Sequence, residues 1–217
     1  MPAAAESLLT MRRSVAITAA VLALIAVVGV AYVVATEGTG DVAAKPSEVD
    51  IGFAQDMIVH HQQAVVMAAY TREHTKSDSV RALAGAIDAA QQREIGQMIG
   101  WLQSWGAPVQ SDRLPMSWMS DDMPGHDHQG GAASMPGMAS PAEMDQLVNL
   151  TGERLDAEFL QLMTRHHEGA LPMAKDAANR ARTPYVREAA RAMIRDQQRE
   201  IDQMQILLRA GGDSTVG

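Results

Sequence analysis

Laid against itself at an offset of 106 residues, the chain finds a second copy of one stretch without a gap. FAQDMIVHHQQAVVMAAY, starting at Phe53, meets FLQLMTRHHEGALPMA, starting at Phe159. Identities fall at Asp50 and Asp156, Phe53 and Phe159, Met57 and Met163, His60 and His166, His61 and His167, Ala64 and Ala170, and Met67 and Met173. The same offset aligns Val80-Arg81 with Val186-Arg187 and QQREIGQM (91–98) with QQREIDQM (197–204). About 21 of some 53 aligned positions agree, so the chain is an internal duplication. Its fold must therefore be built from two copies of one small unit, neither able to bury its own apolar stripe alone.

Start and stop signals make each unit a helical hairpin. In the first copy, Ser47-x-x-Asp50 is a capping box opening a helix to about His74, a second helix starts near Ser77, and Gly106-Ala107-Pro108 stops it. In the second copy the entry helix runs from about Gly152 to Ala181. Thr183-Pro184 then supplies an N-cap and a first-turn proline, and Gly211-Gly212 ends the unit. The expected fold is all-α: two hairpins (47–106 and 152–210) closing as a four-helix bundle with pseudo-two-fold symmetry, followed by a tail (211–217). Pro172, inside the third long helix, removes a donor to the carbonyl of Glu168 and predicts a kink that makes the two halves unequal.

Composition narrows the chemistry. Only 4% of the 217 residues are aromatic, while 15 are Met, so the core is aliphatic and helical. The absence of cysteine excludes disulfides, thiolate metal sites and thiol catalysis. A net charge of -8 without a basic block argues against a nucleic-acid partner. Arg12-Arg13 precede an uncharged run, residues 15–35, long enough to span a bilayer, with Glu37 and Asp41 beyond it. This pattern predicts a cytoplasmic stub (1–14), a membrane anchor (15–35), a linker (36–46) and an extracytoplasmic remainder. The alternative is secretion after cleavage near Ala35.

At roughly 100° per residue, Phe53, Met57, His60, His61, Ala64 and Met67 share one arc of the first helix. On its partner, Val80, Ala84, Ile87, Ile95, Met98 and Leu102 share an arc that also holds Gln91, with Glu94 at its edge. Buried polar groups need partners, so these residues must meet one another or a common ligand. Imidazole with thioether suits a soft ion, Cu(I) above all. The expected ligands are Met57, His60, His61, Met67, Met163, His166, His167 and Met173. Asp56, Gln91, Glu94, Met98, Gln197, Glu200 and Met204 are expected as supporting or alternative ligands. The plainer reading is that the methionines fill a core and the histidines are hydrogen-bonded within it.

The connection (107–151) far exceeds the usual bundle loop of about 2–8 residues. It carries Met116, Met119, Met123, Met135, Met138 and Met144 beside His126 and His128, and Ser140-Pro-Ala-Glu143 caps a short helix in it. A Gly/Pro/Ser-rich segment has no helical stripe to fill. Its methionines are therefore expected to be exposed and, with His126 and His128, to capture copper, the alternative being a plain linker.

The pattern F-x-x-D-M-x-x-H-H-x-x-A-x-x-M-A followed by Q-Q-x-E-I-x-x-M resembles the bacterial "domain of unknown function 305" family over roughly residues 47–210. The resemblance implies a ferritin-like bundle, usually exported and associated with copper binding and tolerance, with no enzymatic activity. The second copy departs from the motif by carrying Leu162 where the first has Asp56. The reading is thus an anchored copper-binding protein for sequestration or delivery, working with envelope copper-handling proteins. A non-metal interaction module of the envelope is the alternative. A ferritin-like metal oxidase is the third class, although the chain has no Glu-x-x-His.

Overall fold

The computed structural model describes residues 45–120 and 135–214. Five helices follow in order: α1 (Glu48–His74), α2 (Asp78–Ser104), α3 (Pro141–Val148), α4 (Gly152–Arg180) and α5 (Pro184–Ser214). There is no strand among the described residues. The expected membrane anchor lies outside them, and no described helix is long and apolar enough to cross a membrane.

The expected signals set most of the helix ends. Ser47 Oγ accepts from Asp50 N and the Asp50 carboxylate from Ser47 N, closing the capping box of α1. Ser77 caps α2 through Val80 N. At the far end Gly106 takes φ 66°, with Ala107 N bonded to Leu102 O and Gly106 N to Gln103 O, a Schellman stop that favours glycine. The last helix departs from expectation, because α5 continues through Gly211 and Gly212 to Ser214. Glycine weakens a helix by about 1 kcal/mol without forbidding it. By contrast α4 runs as the single helix expected, with Pro172 inside it, to Arg180.

Helices α1 and α2 pack along their length, as do α4 and α5, and the hairpins meet mainly through α1 against α4. Two carboxylates clasp them. Asp50, fully buried, accepts from Arg182 N, Thr183 N and Thr183 Oγ1 at the α4–α5 turn. Its repeat mate Asp156 accepts from Thr75 Oγ1 at the α1–α2 turn. Each entry helix thus ties down the turn of the other hairpin, which explains why this aspartate recurs.

The apolar core falls into two clusters. One holds Phe53, Met57, Met98, Met173, Ala177 and Met193. The other holds Ala64, Met67, Ile87, Phe159, Met163 and Met204. Because α1 and α4 are antiparallel, Met57 shares a cluster with Met173, and Met67 with Met163. On each long helix the residue separating the clusters is polar.

Candidate metal centre

That polar layer consists of His60 and His61 from α1, Gln91 from α2, His166 and His167 from α4, and Gln197 from α5, all buried. It lies at the centre because His60-His61 sit between Met57 and Ala64, and His166-His167 between Met163 and Ala170. The rings of His60 and His166 are 3.8 Å apart between centroids. Glu94 and Glu200 reach in from the partly exposed edges of α2 and α5.

Each of the four layer imidazoles is held through the same atom. His61 Nε2 donates to Glu94 at 2.6 Å and His167 Nε2 to Glu200 at 2.7 Å. His60 Nε2 donates to Pro136 O and His166 Nε2 to the backbone oxygen of His60, both at 3.0 Å. An oxygen acceptor at Nε2 fixes the proton there and leaves Nδ1 as a bare lone pair. All four Nδ1 atoms are buried with no hydrogen-bond partner, as are Gln91 Oε1 and Gln197 Oε1. Burial chiefly holds the His60 imidazole down at about 3, against the Pro136 hydrogen bond and with repulsion from His61 and His167. Burial likewise lowers His166 well below the usual histidine range.

Beside these nitrogens, Met57, Met67, Met163 and Met173 are fully buried, one sulfur from each half on either side of the layer. Among the described residues no three His, Asp or Glu side chains gather as an ion-holding group. Met98 and Met204 are also buried, one in each cluster.

The connection departs from expectation. Met116, Met119 and Met135 are buried in the first core cluster and Met138 packs against it, so these residues are core, not exposed thioethers. Met123, His126 and His128 lie outside the described residues. Two pieces of the connection cross the bundle. In the first, Asp56 accepts from Met116 N at 2.6 Å and Trp118 Nε1 at 2.7 Å, while Arg180 of α4 donates to Trp118 O. In the second, Gln63 holds Ala139 through both its backbone groups, and Pro136 supplies the acceptor for His60. A side chain has no room at the crossings: a Cβ on Gly52 would lie 2.3 Å from Trp118, and one on Gly169 2.0 Å from Pro136 O. Gly137, at φ 79°, faces Arg165 O in the same way. Asp56 is therefore committed to the connection, which is a sufficient reason for the second half to carry Leu162 instead. Its burial raises its carboxyl pKa against those two hydrogen bonds.

The family model "Domain of unknown function (DUF305)" matches residues 50–208, both hairpins and the layer between them. The chain belongs to the DUF305 family. A DUF305 protein of Streptomyces coelicolor, inferred to be secreted, is 41% identical over 76% of this chain and 94% of its own, with a TM-score of 0.68. A DUF305 fragment from Deinococcus radiodurans is 32% identical over 76% and 98%, at 0.64. CopM in its Cu(I)-bound form is 26% identical over 74% and 96%, at 0.57, and CopM is also solved with Cu(II) and with Ag. No functionally curated protein matches the sequence.

Among DUF305 motif residues, the four histidines, Gln91, Gln197, Glu94 and Glu200 come together in this chain, whereas Asp56 serves the connection. Sequence reasoning missed Pro136, Gln63 and Gly169. One signal was available for Gly169, since a glycine in mid-helix costs about 1 kcal/mol and calls for a close approach. Pro136 acts through its backbone oxygen and leaves no such trace.

Proposed function

We propose that this DUF305 protein is an extracytoplasmic, membrane-anchored copper protein that sequesters Cu(I) or passes it on. The observation that carries this reading is the set of four buried Nδ1 lone pairs, each fixed by an oxygen acceptor at Nε2 and flanked by buried thioethers. A buried acceptor without a donor costs about 1–3 kcal/mol, and a soft cation removes that cost. Neutral imidazole and thioether are the donors Cu(I) prefers, and Zn or Mg gains little from the sulfur.

Within the layer, His60, His61, His166 and His167 are the nitrogen donors and Met57, Met67, Met163 and Met173 the sulfur donors. Glu94 and Glu200 orient His61 and His167 through their Nε2 hydrogen bonds. Capture of incoming ions falls to Met123, His126 and His128, with the partly buried Met138 handing inward. The likeness to CopM, solved with Cu(I), Cu(II) and Ag, supports copper as the cargo. The Streptomyces relative supports placement outside the cytoplasm.

Native mass spectrometry with Cu(I), Cu(II), Zn(II) and Fe(II), on wild type and on the alanine variant of all four histidines, tests the proposal. Cu(I) retained by wild type and reduced in the variant is the expected outcome. Wild type binding no ion, or a variant binding as much, would refute it.

A further inference from the structure

Three of the chain's eight aromatic residues form a surface group that the copper reading does not use. Trp101 in the last turn of α2, Trp105 at its C-cap and Tyr185 in the first turn of α5 lie with ring centroids 5.5–6.3 Å apart. Trp105 Nε1 donates to Tyr185 Oη at 2.9 Å. Tyr185 is 38% exposed and both tryptophans are half-buried. The low aromatic content elsewhere makes this concentration notable, and its position explains it. Tyr185 lies two residues from Thr183, which is clasped by Asp50 in the first turn of α1. The platform is thus at the end of the bundle where the chain enters at Lys45. Lys45 and Arg182, both exposed, belong to the same end.

We infer that this aromatic platform rests on the phospholipid headgroup region of the membrane that anchors the chain. The inference rests on the anchor in the proposed function and is independent of copper. Residues 36–44 number nine and reach at most about 30 Å, so an anchor ending near residue 35 keeps this end of the bundle close to the bilayer. Trp and Tyr, with an apolar ring and a polar edge, favour that interface, and Lys and Arg beside them meet lipid phosphate. The platform supplies both.

All three tryptophans, Trp101, Trp105 and Trp118, belong to the bundle, and Trp118 is only 6% exposed, so intrinsic fluorescence isolates the platform. The full-length chain is reconstituted into phosphatidylcholine–phosphatidylglycerol vesicles with acyl chains brominated near the headgroup. Emission should fall by up to about two thirds, the share of two platform tryptophans among three. The Trp118→Phe variant should keep that quenching, and the Trp101→Phe/Trp105→Phe variant should lose it. Chain that floats with the vesicles but is unquenched in wild type and Trp118→Phe overturns the platform and leaves the anchor standing. Chain that does not float overturns both.

Discussion

Each layer histidine is bound at one nitrogen and bare at the other, and the partners at the bound nitrogen differ in kind. His61 and His167 have carboxylates at the bundle edge; His60 and His166 have backbone oxygens deep inside. Replacing Glu94 or Glu200 by Gln keeps an acceptor but removes the negative charge beside the ligating imidazole. Cu(I) affinity, read by competition with a chromogenic chelator, should fall about 10–100-fold with little change in Tm. The metal-free protein should also be acid-sensitive. His60 titrates at about 3 when folded against 6.5 in the free side chain, so between those values the unfolded chain holds a proton that the folded chain refuses. Stability is complete above about pH 6.5 and declines as pH falls toward 3. Urea unfolding at pH 7.5 and 5.0 should differ by about 2 kcal/mol from His60 alone, at about 1.4 kcal/mol per pH unit. His166 adds to the effect in the same direction.

Among the elements, most helix ends were readable because they obey local rules: Ser47 and Ser140 as capping boxes, Ser77 as a cap and Gly106 as a stop, whereas α5 overran Gly211-Gly212. The histidine-bearing face was readable for the same reason, since helical periodicity alone puts His60 and His61 between Met57 and Ala64. The connection was not. Its packing depends on a backbone oxygen at Pro136, on missing Cβ atoms at Gly52 and Gly169, and on a carboxylate sixty residues away at Asp56. None of these leaves a period in the sequence, which is why buried methionines passed for exposed ones. Gly169→Ala would drive a Cβ into Pro136 and push the second crossing off α4. It should cost about 1–3 kcal/mol by denaturant unfolding and expose the His60 ring. Asp50→Ala, which strands the Arg182 and Thr183 donors, should cost about 2–4 kcal/mol by the same measurement.

For the whole molecule, duplication gives near symmetry and the connection breaks it. His166 is bonded to the backbone of its mate His60, whereas His60 is bonded to Pro136 of the connection and not to His166. Pro172 adds a second difference, in α4 alone. Two unequal binding steps are therefore expected in a Cu(I) titration, and the Pro172→Ala variant should bring them closer; identical steps in wild type would mean that neither asymmetry reaches the layer. What holds the ion is decided most directly by X-ray absorption at the copper edge of the Cu(I)-loaded protein. A mixed shell of imidazole nitrogen and thioether sulfur, with the nitrogen signal lost when the four histidines are replaced, is the predicted result. A shell of sulfur alone, unchanged by that replacement, would put the copper among the methionines and contradict a site in the histidine layer.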